Sequence, residues 1–248
     1  MKDVNGISKP ETHPVLLVRG LGKFFFRHNM NVRIDAFRSL SLDVWPGKLT
    51  ALTGFSGSGK SSALKCIYRT YKASGGEILF RCLDGRVLDL SRLSDKEVLE
   101  YGRSEIGFVT QYLHCVPRQS AVQVVSKPLL DWGMKREEAA DLSRSMLRDL
   151  GLPEKLWSLP PATFSGGERQ KVNLAKGILA GRNLLLLDEP TSSLDPVAID
   201  LAIDAIQRRQ SAGVGVLATF HDPELVSKHA DFTIDMALAD EQREQFAR

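Results

Sequence analysis

Three segments of the sequence combine residue types that bind anions, bind cations or move protons. The first is a glycine-rich loop that ends in lysine and serine, Gly54-Phe55-Ser56-Gly57-Ser58-Gly59-Lys60-Ser61. The second is a leucine run followed by two acids, Leu184-Leu185-Leu186-Leu187-Asp188-Glu189. The third, Ser165-Gly166-Gly167-Glu168, lies between them. Each segment alone has a purely structural interpretation, so it is their combination in one chain that indicates a function.

The glycine-rich loop fits the pattern G-x-x-x-x-G-K-[ST], which binds the phosphates of a nucleoside triphosphate. Its glycines let backbone N–H groups wrap the phosphates, and a helix starting near Lys60 directs its positive end towards them. We expect Lys60 to reach the β- and γ-phosphates and the Ser61 hydroxyl to bind Mg²⁺. An ordinary Gly/Ser turn is the alternative, but a preceding strand and a following helix favour the phosphate loop. The predicted binding residues are Gly54, Phe55, Ser56, Gly57, Ser58, Gly59, Lys60, Ser61 and Ser62.

The acidic pair follows a run of leucines that is typical of a strand buried on both faces. Ligands of α/β proteins collect at the carboxyl ends of such strands. Asp188 is therefore expected to hold Mg²⁺ through water, and Glu189 to orient and polarise the attacking water as a general base. The alternative is that both acids cap a turn ahead of Pro190. The glycine-rich loop in the same chain favours the catalytic interpretation.

Ser165 and Glu168 fit the capping box S-x-x-E, in which two residues cap the start of a helix reciprocally. Capping is compatible with binding, because a capped helix start with two glycines presents backbone N–H donors to an anion. The glycine-rich loop already has a helix of its own. We therefore expect Ser165, Gly166 and Gly167 to contact the γ-phosphate held by a second chain, so that two chains close on ATP.

Two groups of elements are predicted outside the core that carries these segments. Residues 15–45 favour antiparallel strands, and Asp84-Gly85 predicts a hairpin turn within residues 77–90. Residues 112–163 are expected to form a mostly helical insert, with one helix over residues 134–150.

The core itself is predicted to be a mainly parallel α/β sheet. Short apolar strands are expected at residues 48–53, 184–187 and 214–220. They alternate with a helix over residues 60–69 and with another that opens at Asp195-Pro196, where Asp is the cap and Pro the first helical residue. This alternation is typical of α/β proteins.

Composition restricts the class of protein further. The chain has 248 residues and a net charge of +3 with both signs interspersed, which argues against nucleic acid as a direct partner. No apolar run approaches the roughly 20 residues of a membrane-spanning helix, so no membrane insertion is expected. Three scattered cysteines favour a reducing cytoplasm. We expect a flexible segment at residues 1–14, the folded domain at 15–239 and a polar tail at 240–248.

With these segments in this order, the chain resembles the ATP-binding cassette ATPases over about residues 15–235. Gly54–Ser61 looks like the Walker A loop, Phe164–Glu168 like the signature motif and Leu184–Glu189 like Walker B. The resemblance implies a P-loop nucleotide-binding domain with an antiparallel β-subdomain and an inserted α-helical subdomain. It also implies ATP and Mg²⁺ as ligands, and hydrolysis by a dimer with a second cassette, identical or paralogous.

The resemblance brings further residues to the hydrolytic site. Gln111 matches the Q-loop glutamine, which is expected near Mg²⁺ together with Ser61 and Asp188. His221 matches the switch histidine, which is expected to contact the γ-phosphate. Ser193-Leu194-Asp195 matches the D-loop of the dimer interface. A solvated glutamine and a structural histidine are the competing interpretations of the two single residues.

One aromatic residue is implied to stack on the adenine. Phe25, in Lys23-Phe24-Phe25-Phe26, matches the position of the stacking ring. Phe24 and Phe26 are alternatives, and a core position is the competing interpretation for all of them.

Less generic runs of residues resemble one subfamily, the PhnL-type cassette subunits of the bacterial phosphonate carbon–phosphorus lyase system. Phe164 and Glu168 stand where the signature commonly has leucine and glutamine. The remaining runs are Gln111–Arg118, Pro128–Asp131, Leu156-Trp157 and Phe220-His221-Asp222. This resemblance implies other phosphonate lyase subunits as partners, in attaching methylphosphonate to ribose with displacement of the adenine of ATP.

Two other functions fit the same nucleotide motifs. The chain is alternatively the ATPase subunit of a membrane transporter, with a groove beside Gln111 receiving a helix of the membrane partner. A nucleotide-gated binding module with negligible turnover is a third possibility, against which the intact Glu189 and His221 argue.

Overall fold

The computed structural model of the protein describes residues 13–27, 31–98, 105–113 and 118–236. The predicted tail at 240–248 and residues 1–12 of the predicted N-terminal segment lie outside these ranges. The strands are β1 (Leu16–Arg27), β2 (Val32–Val44), β3 (Leu49–Thr53), β4 (Gly75–Arg81), β5 (Val87–Asp89), β6 (Ile106–Val109), β7 (Leu184–Asp188), β8 (Gly215–Thr219) and β9 (Phe232–Asp235). The helices are α1 (Lys60–Ile67), α2 (Asp95–Glu97), α3 (Ala121–Asp131), α4 (Arg136–Asp149), α5 (Gly166–Ala180), α6 (Pro196–Ser211) and α7 (Pro223–His229).

An antiparallel sheet in the order β2-β1-β4-β5 forms one part of the molecule. Its long pair places Val18 opposite Leu42, and the hairpin of β4 and β5 places Phe80 opposite Leu88. Gly85 in the hairpin turn has a φ of 86°, which only glycine adopts readily. The predicted antiparallel strands and hairpin are therefore both present.

A parallel sheet in the order β6-β7-β8-β3-β9 forms the other part. The four leucines of β7 are fully buried, and their side chains alternate between the two faces of this sheet. Leu185 and Leu187 belong to the core under α5 and α6, whereas Leu184 and Leu186 belong to the core shared with the antiparallel sheet and α1. Burial on both faces explains why this strand reads as a continuous apolar run.

The segment between β6 and α5 carries the helices of the predicted insert. The helix predicted over residues 134–150 is α4, which begins at Arg136 and ends at Asp149. α3 packs on both α4 and α5, and short 3-10 turns at Glu154–Leu156 and Pro161–Thr163 lead into α5. Within the described ranges, no helix is both long and apolar enough to span a membrane.

The strand order decides which residues meet. β7 lies between β6 and β8, from which helices separate it along the chain, and β8 lies beside β3, a strand far earlier in the sequence. In a parallel sheet the carboxyl ends of neighbouring strands share one edge. That edge therefore brings together the segments that follow β3, β6, β7 and β8, which are the segments with the predicted site residues.

Candidate nucleotide-binding and hydrolysis site

The glycine-rich loop joins β3 to α1 as predicted. Gly59 ends the loop with a φ of 92°, and a Cβ at this position would collide with the carbonyl oxygen of Ala36. Lys60 Nζ donates hydrogen bonds to the carbonyl oxygens of Gly54, at 2.7 Å, and Phe55, at 2.9 Å. The ammonium group is thus buried inside the loop that the sequence predicted to bind phosphate. The helix that follows ends at Ile67, two residues before the predicted end.

Other atoms of the loop are available to an anion. Ser56 and Gly57 are exposed, and the space beside the Gly57 Cα is open. The Ser58 hydroxyl is buried, yet it has no hydrogen-bond partner among the described residues. A buried polar atom without a partner is costly, so this hydroxyl fits a site that a phosphate oxygen completes.

Ser61 and Asp188 form the oxygen pair predicted to bind the cation. Ser61 Oγ donates to Asp188 Oδ1 at 2.8 Å, and Thr219 Oγ1 donates to the same carboxylate oxygen at 3.2 Å. Burial raises the pKa of Asp188, and the hydrogen bonds from Ser61 and Thr219 act in the opposite direction. A hydroxyl and a carboxylate at this distance are the oxygen ligands that Mg²⁺ prefers, so the residues fit this ion.

Glu189 is the point at which the predicted catalytic residues meet. Its Oε1 lies 2.6 Å from His221 Nε2, and its Oε2 accepts a hydrogen bond from Gln111 Nε2 at 3.3 Å. The Glu189 backbone has a φ of 53°, in the left-handed region that non-glycine residues seldom adopt. The carboxyl ends of β6, β7 and β8 therefore direct Gln111, Glu189 and His221 to one place.

Ser165 caps α5 through the predicted capping box. The Ser165 N–H donates to Glu168 Oε2 at 2.8 Å, and the Glu168 N–H donates to Ser165 Oγ at 3.3 Å. The hydrogen bond from the Ser165 backbone holds the pKa of Glu168 below its ordinary value. Gly167 lies against the chain at Ser193, where a Cβ would come within 2.9 Å of the Ser193 carbonyl oxygen. The predicted signature and the predicted D-loop are therefore in contact within one chain.

Three polar residues that the sequence did not single out hold this edge together. Gln170 of α5 donates to the carbonyl oxygen of Pro190 at 3.0 Å, and Asn173 donates to that of Thr110, directly before Gln111. Thr219 is fully buried at the end of β8. Thr219 is the one hydroxyl residue in an otherwise apolar strand and lies two residues before His221. That pattern is the sequence signal for its polar role.

The predicted adenine-stacking ring lies on β1 beside the end of α1. Phe25 makes an edge-to-face contact with Tyr71, with ring centroids 5.4 Å apart, and Lys23 Nζ lies 4.8 Å from the centre of the Phe25 ring. The Phe24 ring is covered by the Arg33 guanidinium at 4.1 Å. The assignment of Phe25 to the adenine stays a prediction.

Comparison with known proteins identifies the family to which this arrangement belongs. The family model described as "ABC transporter" matches residues 37–192, more than half of the chain. The chain belongs to the ABC transporter family. Its relatives include the lipoprotein-releasing system ATP-binding protein LolD 2 of Caulobacter vibrioides, 36% identical over 86% of this chain and 90% of that protein. The phosphonates import ATP-binding protein PhnC of Bdellovibrio bacteriovorus is 32% identical over 88% of this chain and 83% of its own length.

Solved structures of ABC cassettes share the fold. The dimeric structure of MJ0796, a bacterial ABC transporter cassette, has a TM-score of 0.80 and 25% identity, over 89% of this chain and 94% of that one. A second dimeric structure of MJ0796, in a post-hydrolysis state bound to ADP and Pi, matches equally well. The predicted ABC-type P-loop fold is confirmed, and the chain is an ATPase domain of this family. The relatives named here are described as ATP-binding proteins of lipoprotein release and of phosphonate import, so the finer resemblance to a phosphonate lyase subunit stays a prediction.

Proposed function

We propose that this ABC-family chain hydrolyses ATP at a site shared by two cassettes and thereby drives a partner protein. The convergence of Gln111 and His221 on the Glu189 carboxylate, beside the Ser61–Asp188 pair, carries this proposal. The N–H groups and Lys60 of the glycine-rich loop hold the triphosphate. Phe25 stacks on the adenine.

Ser61, Asp188 and Gln111 are the residues that would hold Mg²⁺. Bound there, the ion would draw negative charge away from the phosphates during cleavage. In the present arrangement Asp188 is held by the Ser61 and Thr219 hydroxyls, so its carboxylate is already oriented at the carboxyl end of β7. Such preorganisation reduces the rearrangement needed when substrate binds.

Glu189 accepts the proton of the attacking water. Each of its carboxylate oxygens already has one partner here, and each keeps a second acceptor position that can take a water. The His221 side chain is 63% exposed, whereas that of Glu189 is 15% exposed, so of these two groups the imidazole has more room to move. Turning towards the γ-phosphate, it would free a further acceptor position on Glu189 Oε1.

The second cassette supplies the remaining N–H donors. Ser165 presents a capped helix start with Gly166 and Gly167 behind it, a geometry suited to a phosphate. The dimeric MJ0796 cassettes support a two-chain arrangement. ATP binding favours the closed dimer, and loss of the γ-phosphate removes the group that joins the two halves.

We propose a membrane permease as the driven partner, with this chain at the cytoplasmic face. A cavity of about 840 Å³ between the parallel sheet and α3 provides the docking groove. Its lining combines aromatic rings with the catalytic Gln111, and includes Tyr68, Phe108, Tyr112, Pro128 and Trp132. Tyr112 is 71% exposed although it is large and aromatic, which suits a residue that a partner covers. A partner helix in this groove would contact Gln111 and so reach the hydrolytic site.

A phosphonate-processing enzyme assembly is the second candidate for the partner. The residue runs that resemble the lyase subunits favour it, and one of them, Pro128–Asp131, contributes to the docking groove. In this case the groove receives a soluble subunit, and other subunits carry out the glycosyl transfer.

Affinity purification of the full chain from detergent extract, followed by mass spectrometry, distinguishes the two partners. Recovery of an integral membrane protein supports the permease, and recovery of soluble phosphonate enzymes alone overturns it. Tyr112→Asp should lose the partner in either case. Leu83→Asp, at an exposed apolar position of the β4–β5 turn outside this groove, is the matched control.

Phosphate release by the purified complex tests the hydrolytic role. Glu189→Gln should lower the rate by about a hundredfold or more, because a general base contributes 10²–10⁴-fold, and should trap an ATP-bound closed dimer on size exclusion. The exposed Glu154→Gln is the control. Equal rates for wild type and Glu189→Gln would overturn the catalytic assignment.

A further inference from the structure

Glu189 holds a backbone conformation that its own side chain does not favour. Its φ of 53° lies in the left-handed region, where a side chain with a Cβ is strained. Strain of this kind persists only where surrounding groups hold it, and it is found most often at functional sites. The groups that hold Glu189 are therefore part of the site.

A single hydroxyl holds both acids of the Walker B pair. Thr219 Oγ1 accepts a hydrogen bond from the Glu189 N–H at 2.9 Å and donates one to Asp188 Oδ1 at 3.2 Å. A hydroxyl has one donor and two acceptor positions, so it can make both bonds at once. Thr219 and Asp188 lie opposite each other in the β7–β8 register, and both are buried.

The other side of the same turn is held by α5. Gln170 Nε2 donates to the carbonyl oxygen of Pro190 at 3.0 Å and lies 3.4 Å from that of Glu189. The turn after β7 is therefore fixed at the Glu189 N–H by β8 and at the following carbonyls by the signature helix. Of these two residues, Thr219 is the one whose hydroxyl also contacts Asp188, the predicted cation ligand.

We propose that Thr219 is a positioning residue for ATP hydrolysis. Its hydroxyl fixes the orientation of the Glu189 backbone relative to the Asp188 carboxylate, so that the base and the cation ligand keep one mutual geometry through the catalytic cycle. This inference rests on the proposed roles of Glu189 and Asp188. Its hydroxyl contacts the Glu189 N–H and the Asp188 carboxylate, and Thr219 acts through these two residues.

Thr219→Val tests the proposal, because valine has nearly the same shape and lacks the hydroxyl. We expect the kcat of ATP hydrolysis by the assembled complex to fall about tenfold, the size expected for one lost buried hydrogen bond, while the KM for ATP changes less than about twofold. Thr219→Ser keeps the hydroxyl and should restore kcat to within about threefold of wild type. Thr219→Ala also lacks the hydroxyl and provides the same test if Thr219→Val does not fold.

Thr50→Val is the matched control. Thr50 is a fully buried threonine in β3, the strand next to β8, and its hydroxyl donates to the Asp43 carbonyl oxygen away from the site. Its kcat should equal that of wild type. An equal loss in Thr50→Val and Thr219→Val, or a loss that Thr219→Ser does not restore, would mean a general effect on the core and overturn the proposal.

Glu189→Gln, measured in parallel, separates this proposal from the one on which it rests. If Glu189→Gln is inactive and Thr219→Val has the kcat of wild type, only the positioning role of Thr219 is wrong. If Glu189→Gln is as active as wild type, the general-base assignment fails and the role of Thr219 fails with it.

Discussion

His221 Nε2 lies 2.6 Å from Glu189 Oε1, a contact between the segment that follows β8 and the residue that directly follows β7. The contact gives the histidine a second proposed role besides contacting phosphate, because its Nε2 occupies an acceptor position of the proposed base. The switch histidine and the general base are therefore expected to change partners together.

His221→Ala should lower ATP hydrolysis by about tenfold or more and change the affinity for ATP by less than about threefold. The physical reason is that the imidazole contacts Glu189 and is proposed to contact the γ-phosphate, whereas the glycine-rich loop is proposed to supply most of the binding. Steady-state phosphate release and equilibrium nucleotide binding measure the two effects. His229→Ala, which removes a histidine hydrogen-bonded to Gln207 at 3.1 Å, is the control and should retain full activity.

Lys60→Ala should weaken ATP binding by about tenfold to a hundredfold, because it removes a buried ammonium group that is proposed to pair with phosphate. It also removes the two hydrogen bonds that hold Lys60 to the loop carbonyls of Gly54 and Phe55. Fluorescent nucleotide titration measures the loss. Lys48→Ala removes an exposed lysine paired with Asp231 and should bind ATP as wild type does. Undiminished affinity in Lys60→Ala would contradict the assignment of this loop.

Ser165→Arg should leave ATP binding by the single chain intact and prevent ATP-dependent dimerisation. The bulky cation replaces a helix cap that is expected to face the partner's γ-phosphate. Ser120→Arg is a closely matched control, because Ser120 caps α3 through a capping box of the same type with Gln123. Each substitution should cost about 1 kcal/mol of stability. ATP-dependent dimerisation, measured by light scattering, should be lost in Ser165→Arg and kept in Ser120→Arg. Equal dimerisation of the two variants would refute the shared site.

Asp188→Asn should stabilise the nucleotide-free and metal-free protein increasingly as the pH rises. Burial raises the pKa of Asp188 above its unfolded value, so the folded state binds this proton more tightly. The stability from this carboxyl is fully present below the unfolded pKa of about 4 and is lost as the pH rises through the folded pKa. Asparagine does not titrate and avoids this loss.

Urea denaturation of both proteins in EDTA, from about pH 4 to neutrality, measures this difference. The exposed carboxyl of Asp84 has its pKa lowered by the Arg86 N–H, so Asp84→Asn should show no such gain with pH. A stability difference between wild type and Asp188→Asn that is independent of pH would contradict the account of Asp188.

Phe25→Ala should weaken ATP binding by about fivefold to a hundredfold, the range of one base-stacking contact of about 1–3 kcal/mol. Phe25→Trp should retain the affinity, because it keeps a ring at that position. Phe24→Ala and Phe26→Ala are the matched controls from the same strand. If either control loses more affinity for ATP than Phe25→Ala does, that neighbouring phenylalanine is the stacking residue instead.

The segments that were predicted correctly from the sequence are those whose important residues are adjacent in the chain. The glycine-rich loop, the capping box at Ser165 and the leucine run before Asp188 each form within a few residues, so local backbone preferences and side-chain burial specify them. The antiparallel hairpin at Gly85 was predicted for the same reason. The predicted helix over residues 60–69 ended early, because Arg69 adopts a φ of 63°, which cannot continue a helix.

By itself, then, the sequence determined the P-loop, the candidate acids and the family resemblance that names Gln111 and His221. Only the tertiary structure decided that Gln111 and His221 share one carboxylate, and that Thr219, Gln170 and Asn173 hold its surroundings. The reason is the strand order β6-β7-β8-β3-β9, in which spatial neighbours are distant along the chain. A threonine in an apolar strand marks a polar position, but its hydrogen-bonding partners follow only from the neighbouring strand and its register.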